Sequence, residues 1–451
     1  MILNIKNKIT SFLEKKYMLE ILLLTNSLIG FVGWLYFSSI IIFIEILLGL
    51  SLLYLCNTFK YSYSFFGSVI FLYDGNFDYN TSFWIYLSAL ILMGIGLLIY
   101  IFTHKPKFKK LRMSWNLLAF SIMCFIPYFY SSLPEGKSYY VCYYLQWFLY
   151  LAIYFGASNL IQDDEDLSIP MCKSLASVGI ILSLQCIYYC FIKNMDWYFL
   201  GWGHANYANM LIILFVPLVV YLIINEDKPY KIIYSCVLGL MLLGGYATSS
   251  RAFFVFLPFE IVLIVTLLFI KNKNKKGIII LYSSLLAFAL LLLIIPATRN
   301  LIINKIIISE NGDIDASRGQ IYKRLINLIF ESPRSALIGH GVFTWMEDFN
   351  TNGVDVASLK LCHNSILSIM VMSGFVGLGL FIWHLYIKYS LFKNDKSLFG
   401  GIIFISFLTN DIYGLIDNTY NTYFFMGMFI LMYSTYEKFR LNQNKEIIIE
   451  K

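Results

Sequence analysis

The chain has 451 residues, 59% of them hydrophobic and 14% charged, with a formal net charge of +7. So apolar a composition excludes an ordinary soluble domain. Because strand-like alternation is lacking and lipid admits only helices and closed barrels, it points to membrane helices. Lys and Arg fall mainly in short segments between apolar runs, so they are signals of orientation and not a nucleic-acid surface. The eight cysteines include no Cys-x-x-Cys pair, and Cys186 and Cys190, which share a helix face, read as small packing residues.

Taken in order, the apolar runs predict spans near 18–37, 39–57, 61–74, 83–103, 113–132, 138–158, 171–192, 205–225, 231–249, 252–270, 277–296, 363–388, 397–416 and 420–436. Each is an apolar helix on the scale of a ~30 Å hydrocarbon core, the third being short. The expectation is an all-α, polytopic integral membrane protein of about 12–14 transmembrane helices with both termini inside. Three segments follow: membrane helices over 1–296, an extracytoplasmic loop over 297–362, and membrane helices with a cytoplasmic tail over 363–451. Lys6, Lys8, Lys15 and Lys16 precede the first run with no small-residue cleavage site after it, which predicts an uncleaved first helix. Keeping the short third span puts Lys60, the 105–112 run, Lys228 and Lys231, the 271–276 cluster, 388–396 and 438–440 all on the cytoplasmic side. The acidic run 163–166 reads as a solvated cytoplasmic loop.

That orientation collects a set of polar residues outside: His204 and Asn206, Thr248 to Arg251, the segment 297–362, and Asp417 with Asn418. The long segment carries seven Lys or Arg against seven Asp or Glu between Arg299 and Lys360. Long loops tend to carry function. Within it, Leu301–Ile308 and Ile321–Phe330 are patterned as amphipathic surface helices, and Pro333 is expected to end the second.

Arg251 opens an apolar run and Arg318 opens a surface helix. A guanidinium stays charged and grips phosphate oxygens with two parallel hydrogen bonds, so two of them on one face suit a diphosphate. The structural alternatives are snorkelling for Arg251 and an ion pair with Asp313 or Asp315 for Arg318. Gly339-His340-Gly341 reads as a tight turn whose glycines take positive φ. His363 precedes Asn364 and Ser365, either of which can cap the helix that begins there. An imidazole in that position is a competent general base. His204, Arg324, His340 and Asn364 are further candidates for contact with substrate. Glycines 374, 377 and 379 are expected to allow close helix packing. His104 and His384 fall toward the cytoplasmic side and are assigned no chemistry. Glu45 and Glu260 are nearly the only carboxylates deep in an apolar run.

Three pieces in this order resemble the O-antigen ligase and Wzy-type polysaccharide polymerase superfamily of bacterial envelope enzymes. They are Ser250-Arg251-Ala252; Ser317-Arg318 followed by Ile321-Tyr322 and Leu337-Ile-Gly-His-Gly-Val-Phe343; and His363-Asn-Ser-Ile-Leu367 with Ser373-Gly-Phe-Val-Gly-Leu378. The resemblance covers roughly residues 200–435. It implies a GT-C-like multi-pass enzyme of the bacterial cytoplasmic membrane, with its site on the extracytoplasmic face. Such enzymes transfer an undecaprenyl-pyrophosphate-linked glycan to an acceptor hydroxyl without metal or other cofactor. It also implies His363 as general base, Arg251 and Arg318 as the pyrophosphate site, and a flippase and chain-length regulator as possible protein partners. Tyr322, where the family often has Trp, and His340 within the turn depart from the family pattern and carry no expected chemical role. Polymerisation of capsule or O-antigen repeat units is the leading expectation. Ligation of finished polymer to another acceptor is the alternative at the same site, and a lipid-linked oligosaccharide flippase the alternative from another class. The flippase reading would require charged residues buried in mid-span.

Overall fold

A computed structural model describes residues 8, 11–13, 17–36, 38–56, 60–62, 65, 79–105, 111–129, 150–151, 153–158, 166–193, 205–248, 250–273, 276, 279–280, 283, 316–341, 363–417, 419–420 and 423–449. Among these residues the fold is all-helical, a polytopic membrane architecture as the composition predicts. Five helices are long and apolar enough to cross a bilayer: 168–192, 206–225, 228–247, 252–271 and 365–390. Shorter apolar helices at 18–33, 40–56, 91–104, 114–125 and 398–413 add to them. Most of the expected spans 61–74, 138–158 and 277–296 lies outside the described residues, as do His204 and the surface helix expected at 301–308.

The helices are α1 (Met18–Tyr36), α2 (Ser38–Cys56), α3 (Tyr79–His104), α4 (Ser114–Phe125), α5 (Ser168–Ile187), α6 (Ala205–Asn225), α7 (Lys228–Ala247), α8 (Arg251–Lys271), α9 (Ala316–Ile329), α10 (Pro333–Ile338), α11 (Ser365–Ser390), α12 (Leu398–Tyr413) and α13 (Tyr423–Ile449). The centre is α6, which packs on α5, α7, α8 and α12. From Ala208 to Val219 its side chains are buried all round, as expected of an apolar helix with no polar stripe. The outer helices instead keep bands of exposed large apolar side chains, such as Ile21, Leu24, Leu28 and Val32 on α1. Apolar surface of that extent belongs against lipid. α13 runs well past the expected end near 436, because Glu437 to Lys445 holds good helix formers and no Gly or Pro.

The described part of the 297–362 segment, residues 316–341, packs into the bundle. α9 buries Ile321, Leu325 and Ile329, spaced one turn apart, against α11. Pro333 does more than end a helix: it is the first residue of α10, with Ser332 as N-cap accepting a hydrogen bond from the Ser335 N–H at 3.1 Å. α10 docks on α11 where α11 breaks, at Gly374 (φ 62°, ψ −160°). Carbonyls just ahead of such a break lose their helical donors. Here they gain new ones, from His340 N–H to the Val371 carbonyl (2.7 Å) and from Gly341 N–H to the Met372 carbonyl (3.0 Å). Gly339 and Gly341 both take positive φ, as the Gly-x-Gly pattern predicts. A Cβ on Gly374 would run into the backbone of Ala336 and Leu337, and one on Gly339 into that of Met372 and Ser373. Gly379, by contrast, has open space around it and is no packing glycine.

One sequence expectation is overturned inside the bundle. Lys388 is fully buried, paired with Asp411 and hydrogen-bonded to the Tyr420 hydroxyl at 2.6 Å. A neutralised, desolvated lysine is not a loop charge that orients the chain, and Asp411 joins Glu45 and Glu260 as a carboxylate within the helices. Lys173 is likewise buried between Glu20 and Glu226.

Gly374→Val forces a β-branched residue into a conformation only glycine adopts readily, at about 1–3 kcal/mol of strain, and collides with α10. We expect a marked loss of folded protein after detergent extraction, read by size-exclusion chromatography. Gly379→Val should extract like the wild type.

Candidate functional site

At one end of the bundle five helix ends meet in a polar network. Asn206, in the first turn of α6, donates through Nδ2 to Asp417 Oδ2 (2.8 Å) and accepts at Oδ1 from the Ser250 hydroxyl (2.7 Å). Ser250 is the N-cap of α8, so Arg251 is the first residue of that helix. Asn209, one turn further along α6, donates to Thr248 Oγ1 at the end of α7 (2.6 Å). Asp417 lies just beyond α12 and is nearly fully buried. Its Oδ1 is 3.6 Å from Nδ1 of His363. A chain of side chains, Ser250–Asn206–Asp417–His363, therefore joins the start of α8 to the residue that precedes α11.

His363 is held by its backbone. Its φ of 45° is unusual for a non-glycine residue. Three neighbours fix it there. Asn364 caps α11, accepting from the Leu367 N–H (2.9 Å), and its Nδ2 donates to the Leu415 carbonyl (2.9 Å). The Ser365 N–H donates to the Gly414 carbonyl (2.8 Å), and the Ser365 hydroxyl to the Asp417 carbonyl (3.1 Å). The Tyr322 hydroxyl, from α9, donates to the carbonyl of His363 itself (2.9 Å). Tyr322, to which the sequence gives no chemical role, ties α9 directly to His363. Arg318 lies one helical turn before Tyr322 in α9.

The remaining sequence candidates fall as follows. Arg324 is half-buried on α9. The His340 Nε2 lies 2.8 Å from the Leu328 carbonyl and 3.5 Å from Glu331, so this imidazole is tied to α9 and not drawn into the network around His363. Both ends of the Asn364 amide are engaged in holding the chain, with Nδ2 on a carbonyl and Oδ1 on the cap. His384, buried near the middle of the chain's last third, has its Nδ1 3.0 Å from Asn116 Oδ1 and stands apart from this network.

Asn206 and Asp417 are the residues that sequence reasoning passed over. The sequence places both on the outer face, Asn206 beside His204 at a polar helix start, and gives neither a role. Their one sequence signal was polarity at the very end of an apolar run.

The fold and this end of the bundle define a multi-pass helical membrane protein whose polar residues gather where helices begin and end. A family model described as O-antigen ligase matches residues 236–382. The match bears out the resemblance to the O-antigen ligase and Wzy superfamily and supports a ligase- or polymerase-type function in general terms. It spans Arg251, Arg318, Arg324, His340, His363 and Asn364, and leaves Asn206 and Asp417 outside. A search of curated proteins finds no match.

Asn206→Ala removes a hydrogen-bond donor from a buried carboxylate, which costs about 1.5–3 kcal/mol when the bond is to a charged group. We expect a lower thermal midpoint for the detergent-solubilised protein, followed by tryptophan fluorescence; an unchanged midpoint would show that the Asn206–Asp417 bond carries no weight.

Proposed function

We propose that the protein is a glycosyltransferase of the bacterial cytoplasmic membrane that polymerises undecaprenyl-pyrophosphate-linked repeat units into a surface polysaccharide, capsule or O antigen. The extracytoplasmic face carries the site, following the distribution of Lys and Arg between helices. The observation that supports the reading most is the Ser250–Asn206–Asp417–His363 chain. It brings the start of the helix opened by Arg251 to the imidazole, and Tyr322 brings α9, whose first turn holds Arg318, to the same place.

In this reading a carboxylate beside Nδ1 favours the tautomer with its proton on Nδ1, leaving the Nε2 lone pair as the base. Catalytic contacts tighten from apo distances when substrate binds, which suits a 3.6 Å separation. The acceptor hydroxyl gives its proton to Nε2 of His363 as its oxygen forms a bond to the anomeric carbon of the donor. The bond from that carbon to the phosphate oxygen breaks, and its electron pair leaves with the diphosphate. Arg251 and Arg318 hold the diphosphate and stabilise the charge that grows on it. A lipid diphosphate is already a good leaving group, so position, charge stabilisation and one base suffice.

A second reading keeps the site and changes the acceptor: ligation of finished glycan to another molecule, favoured by the description of the matched family. Purified protein in liposomes with a synthetic lipid-linked repeat unit separates the readings. A ladder of products supports polymerisation, and a single transfer to an added acceptor supports ligation. Movement of the lipid across the bilayer with no new glycosidic bond would support a flippase.

His363→Ala should lower the rate by ~10²–10⁴-fold, the usual contribution of a positioned base, while the protein still inserts and extracts. Arg251→Lys and Arg318→Lys should each lose most activity, because an ammonium cannot make the two-pronged phosphate contact. Wild-type chain lengths from the His363→Ala variant would remove the acid–base assignment.

A further inference from the structure

Beneath the site lies a charged cluster that the chemistry above does not use. Lys388, in the last turn of α11, has no exposed surface. Its ammonium is ringed by the Tyr389 (4.8 Å), Phe429 (5.0 Å), Tyr420 (5.3 Å) and Phe407 (5.9 Å) rings and pairs with Asp411 of α12. Asp411 also accepts from the Tyr389 hydroxyl (2.5 Å) at the oxygen that meets Lys388, and from the Tyr420 hydroxyl (2.7 Å) at its other oxygen. A buried ion pair gains little over apolar packing, so its presence is better explained by the geometry it enforces.

That geometry is specific. Asp411 and Tyr420 bracket the turn between α12 and α13, and the bond between them closes the turn at its base. The turn carries Asp417. It also supplies the Gly414 and Leu415 carbonyls that hold Ser365 and Asn364, and the Thr419 N–H that donates to the Ser365 hydroxyl (3.0 Å). We propose that Lys388 is a positioning residue for the site: together with Asp411 and Tyr420 it clips shut the turn that presents Asp417 to His363. Lys388 touches no reacting atom. It acts through Asp411, Tyr420 and the turn. The consequence for turnover rests on the glycosyl-transfer reading above, whereas the clip itself does not.

Two variants test this. Tyr420→Phe keeps the Lys388–Asp411 pair and removes the hydroxyl that bonds to both, and with it the bond that closes the turn. Lys388→Met with Asp411→Leu replaces the pair by apolar side chains, which buried pairs commonly tolerate. In both, hydrogen–deuterium exchange of the full-length protein should rise over 414–420 and stay at the wild-type level in α6. Donor turnover should fall by up to ~10²-fold in kcat with KM for the lipid-linked donor unchanged, since a displacement of about 1 Å at a catalytic group has that effect. Adding Tyr420→Phe to Asp417→Asn should cost nothing further, because both act on one element. Unchanged exchange over 414–420 in both variants overturns the clip. Faster exchange with wild-type kcat, or losses that add in the double variant, overturns the positioning role. A wild-type protein that transfers no glycan overturns the functional reading instead, and the exchange comparison still decides the clip.

Discussion

The arrangement depends on one buried carboxylate. Asp417 has almost no contact with solvent, and a charge so placed must be satisfied by the protein around it. One oxygen takes the amide of Asn206 from the central helix and the other faces the His363 imidazole, while the backbone carbonyl takes the Ser365 hydroxyl. Three parts of the chain are thereby held to one another: the start of α6, the start of α11 and the turn after α12. Ser250 extends the hold to α8. Remove the carboxylate and each of these ends loses a partner in an environment that offers little water in exchange.

A second constraint shapes the same end of the molecule. Lipid does not forgive unpaired backbone groups, so a membrane helix can break only where something else supplies the missing bonds. At Gly374 the supplier is the Gly339–His340–Gly341 turn, whose N–H groups meet the carbonyls of Val371 and Met372. Residues 316–341 are consequently part of the bundle. The same segment carries Tyr322 to His363, so α9, α10 and the broken helix are held by the backbone bonds at the break and by the Tyr322 hydroxyl on the His363 carbonyl. A change in the loop is thus felt at the imidazole without any element in between.

Most helices were legible because a bilayer demands long apolar runs: α1 to α8, α11 and α12 fall close to the runs read from the sequence and α9 to the amphipathic segment at 321–330, whereas α10 was not foreseen. The Asn364 cap and the positive-φ glycines at 339 and 341 were also legible, since each is a local rule of backbone chemistry. What was not legible is pairing at a distance. Asn206 and Asp417 are 211 residues apart, and nothing in either neighbourhood announces the other. Lys388 looked like the first of a run of loop lysines, because its partner Asp411 sits in a different apolar run. Gly374 looked like a packing glycine, and its positive φ and its contact with α10 distinguish it from Gly379. The roles of Arg251, Arg318 and His363 rest on the resemblance together with the converging helix ends, and they are proposals about chemistry.

Those proposals reduce to a single location for a diphosphate. The most direct measurement is cryo-electron microscopy of the full-length protein in nanodiscs with a non-transferable undecaprenyl-diphosphate glycan. The account predicts diphosphate density between the first residues of α8 and α9, with the anomeric carbon facing His363. Density for the diphosphate at the opposite end of the bundle, or at this end but out of reach of His363, would contradict it.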